Sequence, residues 1–188
     1  MITTIFVIFT KLFFMIPSIT IHIPLKPYLY KFLIKKYGTE FEADHKSSLG
    51  VFIKELIDNE YRKEGYIKSG DLFPITIPKV MVEKVGFSFP PSKFYVFENW
   101  VNRLFQEQLF EYVRITIENK LFKEVYARQR KVDDAENRRH GTLKIISQFL
   151  RSYDITEDDL KRDSIYREYT RFVDRNKTVE KKQQIATS

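Results

Sequence analysis

Along the chain the pattern of apolar and polar positions changes period several times, and each change predicts a different element. Ile19, Ile21 and Ile23 alternate with Thr20 and His22, the two-residue period of a half-buried strand, and Pro24 is expected to end it. Helical spacing follows. Pro27 suits a first turn, Leu25, Leu29, Phe32 and Leu33 share a face, and Gly38 is placed to stop the helix. Leu49, Phe52, Leu56 and Ile57 predict a second helix over 48–61, in which Gly50 weakens the first turn slightly. A period of two returns at 73–78 and again at 85–89, so a second and a third strand are expected to complete a small sheet.

After Pro91 comes the longest periodic segment. Trp100, Leu104, Phe105, Leu109, Tyr112, Val113, Ile117, Leu121, Val125 and Tyr126 recur at helical spacing and predict one long helix, or two consecutive ones, over 97–131. The stripe is broad enough for a core helix or a dimer seam, and the core is the commoner use. At 127–140 the sequence ARQRKVDDAENRRH exchanges the apolar pattern for charge, marking a linker through which the helix is free to continue.

Three short helices are expected in the last third. Ile145, Ile146, Phe149, Leu150 and Tyr153 form the buried side of the first, which ends near Asp154 and leaves Lys144, Gln148 and Arg151 outside. Thr156 is placed to cap a second, with Asp159 as an acidic variant of the capping box, Glu157 and Asp158 at the positive helix end and Leu160 as the core anchor. Ser164 is expected to cap the third, in which Ile165, Tyr169, Phe172 and Val173 point inward while Tyr166, Arg167, Thr170, Arg171 and Asp174 face out.

The resulting expectation is an α+β, mainly α-helical protein with a small β-sheet of short strands, a long central helix and a C-terminal three-helix module. Its segments are an apolar leader at 1–17, an α+β core at 18–131, the module at 132–177 and a polar tail at 178–188. The leader MITTIFVIFTKLFFMI is shorter than the about 20 residues of a membrane helix and lacks both a basic start and a small-residue cleavage site. Three readings of it stand: a β-rich or loosely packed leader, an extension upstream of a protein that starts at Met15, and a peripheral membrane anchor.

Composition narrows the function. With 188 residues and 15% aromatic content the chain can build a sizeable core, and with no cysteine it has no disulfide, thiolate metal site or thiol nucleophile. An intracellular, cytoplasmic protein is expected. A formal charge of +7 favours polyanionic partners, nucleic acid before membrane surface. Lys26, Lys31, Lys35 and Lys36 have no acid between them, which suits either phosphate tracking or a solvated helix surface.

No motif of catalysis emerges: His22, His45 and His140 are far apart, the Glu42, Asp44 and His45 group is a polar loop, and there is no glycine-rich phosphate loop or serine elbow. Neither metal, cofactor nor small-molecule substrate is indicated, and a non-enzymatic role is expected. A helix fits the DNA major groove, and arginine bonds guanine's edge bidentately. Arg167, Thr170 and Arg171 are therefore the candidate base-edge contacts. Arg138, Arg139, Lys144, Arg151, Lys161, Arg162 and Arg175 are the candidate phosphate contacts.

The pattern FLxxYDITEDDLxxxSIYREYxR, from Phe149 to Arg171, resembles the helix-turn-helix ends of small basic DNA-binding regulators carried by phages and other mobile elements. The segment that bears it, 141–177, covers about a fifth of the chain. The resemblance implies double-stranded DNA as partner, often bound by a homodimer, and control of transcription or replication. The alternative is a structural or interaction protein, for example one associated with a virion or with genome packaging, whose basic surface meets its partner nonspecifically.

Overall fold

Pro24 does not end the first strand. In the computed structural model, which describes residues 18–57, 70–86, 88–119 and 134–186, β1 runs over Ile19–Leu25 and passes through the proline. It lies at the edge of a three-stranded sheet, where a strand needs hydrogen bonds on one side only and accommodates proline. β3 (Asp71–Ile77) pairs with it antiparallel, Ile21 opposite Ile75 and Ile23 opposite Phe73, and so places the apolar residues of both strands on one face. Thr20 and Thr76 face each other on the other side, their hydroxyl oxygens 3.1 Å apart.

Of the strand expected at 85–89, Phe87 lies outside the described residues, Val85 is helical and Ser88 forms only an isolated bridge; the third strand of the sheet lies elsewhere. β2 is the two-residue Phe41–Glu42, parallel to β3 and extended by the Ala43 N–H, which donates to Thr76 O at 2.8 Å. Residues Lys79–Val85 instead form a helix, α3, because Pro78 is extended and its carbonyl accepts from Met81 and Val82 at 2.8 and 3.0 Å. Gly86, at φ 115°, then stops it, a backbone conformation that the alternation of Val85 and Phe89 does not reveal.

Of the expected early helices, α1 is Pro27–Tyr37, stopped by Gly38 at φ 88°. α2 is Ser48–Leu56, shorter than expected because Ile57 is extended. Ser47 caps it, its hydroxyl accepting from Gly50 N–H at 3.0 Å. The long helix, α4, is Pro91–Glu118 and starts six residues before the expected 97. The C-terminal helices are α5 (Asp134–Ser152), which takes up part of the expected linker, and α6 (Arg162–Ala186). Residues 1–17, with the leader, and residues 120–133, with Leu121, Val125 and Tyr126, lie outside the described residues. Among the described residues no helix is long and apolar enough to cross a membrane.

The chain divides into two compact units, Met1–Val101 and Asn102–Ser188. In the first, the apolar face of the sheet is filled by Ile23, Phe73, Ile75 and Ile77, with Leu29, Phe32 and Leu33 of α1 fully buried. Phe97 of α4 is also fully buried, and Phe52 of α2 stacks on Trp100 at 4.7 Å. In the second, Phe105, Leu109 and Val113 of α4 are inaccessible, whereas Tyr112 and Ile117, expected in the same stripe, are exposed. Each buried Phe or Leu is worth about 1.5–3 kcal/mol. An exposed i,i+4 pair such as Arg103–Glu107 contributes roughly 0.3–0.5 kcal/mol. The facing of α4 is therefore set by its buried residues.

Candidate nucleic-acid interface

The C-terminal unit holds every candidate contact residue. Phe149 of α5 meets Phe105 and Tyr112 of α4, ring centroids 5.9 and 5.4 Å apart. Tyr169 and Phe172 of α6 meet Phe110 at 5.7 and 5.1 Å. Ile145, Ile146 and Ile165 complete the buried seam. With those faces turned inward, the 3.6-residue period puts Arg167, Thr170, Arg171 and Asp174 on the exposed side of α6, as expected from the sequence. Tyr166, expected outside as well, is half-buried, with the Arg139 guanidinium 5.8 Å from its ring centroid.

Between α5 and α6 the expected second helix is a single turn. The Leu160 N–H donates to Thr156 O at 3.0 Å, and Asp159 Oδ2 accepts from both the N–H and the hydroxyl of Thr156 at 2.8 Å. The capping signal is thus real, but one anchor, Leu160, is too little apolar surface to hold a further turn. The last helix begins at Arg162, two residues before Ser164, because Glu157 reaches across the turn. Its Oε2 accepts from the Arg162 N–H at 3.3 Å and its Oε1 from the Arg162 Nε–H.

The cations fall into two groups. Arg139 is held by Asp163 at 3.1 Å, and Arg162 by Glu157 and by Ser147 Oγ, the latter at 3.1 Å. Arg175 donates to Arg171 O at 3.2 Å, within its own helix. These three, expected on phosphates, are engaged inside the unit. Among the described residues Lys144, Arg151, Lys161, Arg167 and Arg171 are exposed and have no carboxylate partner. Thr170 donates its hydroxyl to Tyr166 O at 2.9 Å, leaving its oxygen as an acceptor. The Arg138 side chain lies outside the described residues.

The turn also shapes an open cleft of about 490 Å³, walled by α5 on one side and by Glu157, Arg162 and Asp163 on the other. His140, Ser147, Gln148, Glu157 and Asp163 join the cations there. Sequence reasoning did not assign them, although Lys144, Ser147 and Arg151 at i, i+3 and i+7 share one helix face. Of the Glu42, Asp44 and His45 group, expected as a polar loop, Glu42 ends β2 while Asp44 and His45 lie in the turn that follows, Asp44 Oδ1 accepting from the N–H groups of Lys46 and Ser47 at 2.7 and 2.6 Å. These two bonds hold the Asp44 carboxyl below its ordinary pKa. Among the described residues no group of three or more histidine or acidic side chains is placed to hold a metal ion. No protein-family model matches this chain, and neither a curated protein nor a solved structure matches it.

Proposed function

We propose that this is a cytoplasmic, non-enzymatic protein that binds double-stranded DNA through the outward face of α6, in the manner of a transcription or replication regulator. The observation that carries the reading is the sorting of the arginines. Arg167 and Arg171, one helical turn apart and flanking Thr170, have no carboxylate partner among the described residues, while Arg139 and Arg162 are tied to Asp163 and Glu157. Two such groups on one exposed helix face suit bidentate contact with guanine edges, and Lys144, Arg151 and Lys161 supply charges for phosphates.

Selection of bound sequences from random duplexes at moderate salt tests the reading. Enrichment of one sequence is expected, and Arg167→Ala with Arg171→Ala is expected to abolish the preference while leaving the weaker salt-dependent binding. Recovery of unselected sequences would sink it.

A second reading, a structural or interaction protein, is favoured by one observation. Tyr112, Ile115 and Ile117 of α4 are 39%, 54% and 37% exposed, large apolar groups turned toward solvent. On that reading the same selection yields no preferred sequence, and substitution of these three residues by serine abolishes association with the partner.

A further inference from the structure

The cleft beside the α5–α6 turn is walled by charges that do not cancel. Its two carboxylates are already satisfied: both oxygens of Glu157 accept from Arg162, and Asp163 Oδ1 accepts from Arg139 at 3.1 Å. Lys144 and Arg151, two turns apart on the same face of α5, line the opposite wall without a carboxylate partner among the described residues. With Asp163 offset by Arg139, which is not itself on the wall, and Glu157 by Arg162, two cations are left over, the complement of one dianion.

Arg162 is also fixed in place. Glu157 takes its Nε–H, and Ser147 Oγ accepts from Nη1 at 3.1 Å while donating to Leu143 O at 2.8 Å. The remaining guanidinium N–H groups are therefore presented by a side chain whose rotamer freedom is already spent, which lowers the entropic cost of using them on a ligand. Gln148 adds an amide to the same wall. At about 490 Å³ the space is on the scale of small-molecule sites and exceeds what a bare phosphate fills.

We propose that this cleft binds a dianionic phosphomonoester of nucleotide size, with Arg162 as the fixed donor and Lys144 and Arg151 as the two cations that close on the phosphate. The esterified group occupies the rest of the cleft. A phosphodiester carries a single charge and leaves one of the two cations uncompensated, so the site discriminates against it. Such a phosphate is carried by a free nucleoside monophosphate or by the 5′ end of a nucleic-acid strand. The site shares Lys144 and Arg151 with the phosphate contacts proposed for duplex DNA but excludes the base-edge residues, since Arg167 and Arg171 line no part of it.

Calorimetric titration of the full chain with adenosine 5′-monophosphate, adenosine, adenosine 3′,5′-cyclic monophosphate, and a short single strand with and without a 5′-phosphate tests the proposal. Saturable binding of the monoester is expected, with at least tenfold weaker binding of the cyclic diester and of adenosine. Lys144→Gln with Arg151→Gln is expected to weaken the monoester at least tenfold; both positions are exposed, and each single substitution serves if the pair impairs folding. Arg167→Gln with Arg171→Gln is expected to leave monoester binding unchanged even where it abolishes duplex preference, which separates the two proposals. Tighter binding of the 5′-phosphorylated strand than of the mononucleotide assigns the phosphate to a strand end, the reverse assigns it to a free nucleotide, and both uphold the site. No saturable monoester binding, equal binding of the cyclic diester, or wild-type affinity in the Lys144 and Arg151 variants overturns it.

Discussion

The Ile155 N–H donates to Leu150 O at 3.0 Å, closing the C-terminal end of α5 around Asp154. Together with the Asp154 N–H to Arg151 O bond at 3.1 Å, this is a Schellman closure, in which the intervening residue takes the left-handed conformation. Asp154 does so, with φ 56°, and is the one non-glycine residue described at positive φ. Ile155 and Leu150 are both buried, so the closure also aims the chain into the turn that forms the cleft. A β-branched residue at position 154 meets the full left-handed penalty of about 1–2 kcal/mol, while glycine meets none. Asp154→Val is expected to be less stable than Asp154→Gly by at least about 1 kcal/mol in urea denaturation. Equal midpoints would show that the closure does not constrain the turn.

Gly50 lies inside α2, where alanine is ordinarily better by about 1 kcal/mol. Here the order is reversed. A Cβ at this position would fall 2.1 Å from Asp44 O and 2.6 Å from Asp44 N, and these are backbone atoms that cannot rotate away. The same backbone leads into Ser47, whose hydroxyl caps α2, so relief of the clash disturbs the cap as well. Gly50→Ala is expected to destabilise the protein by about 2–3 kcal/mol, the sum of overpacking and part of a lost cap. Thermal unfolding of the two proteins checks this. A higher midpoint for the alanine variant would mean that the backbones do not approach so closely.

Gly50 also shows where the sequence stops being informative. Local periodicity places α1, β1, β3, the middle of α4 and the buried sides of α5 and α6, because each buries residues at a fixed spacing. It misses α3, next to which it expects a strand at 85–89, and it misses β2. The first depends on the conformation of Gly86, and the second is two residues long and exists only by pairing with β3. Arg167, Thr170 and Arg171 were legible as an outward face because Ile165, Tyr169 and Phe172 define the inward one. The cleft was not, since Arg162 enters it through Glu157 and Ser147, five and fifteen residues away, and no pattern in the chain records that meeting.

Glu98 on α4 is 5% exposed and its Oε1 lies 3.1 Å from Lys26 Nζ, at the entrance to α1. A carboxylate taken out of water needs its partner more than a surface pair does. Lys26→Met keeps the side chain's length and removes its charge, and is expected to cost about 1–3 kcal/mol. Lys26→Met with Glu98→Gln is expected to recover most of that loss, because the buried charge goes with the second substitution. A double-mutant cycle in guanidinium measures the coupling; strictly additive losses would assign the cost to packing instead.

Asp44 supplies the dependence on acid. Its carboxyl is held below the ordinary value first by the Ser47 N–H and next by that of Lys46, both of which bond the charged form. A native pKa below the unfolded one means that the unfolded chain takes up the proton first as pH falls. The stabilisation is therefore full above the ordinary aspartate range, near pH 4, and is lost as pH drops through the native value. Asp44→Asn keeps an acceptor for the turn but cannot ionise. Wild type is expected to exceed this variant in stability by a constant margin between about pH 6 and 8, and the margin is expected to close below about pH 4. Denaturant titrations of both proteins across that range measure it. A margin that stays constant, or widens, into acid would show that the turn does not depend on the charge of Asp44.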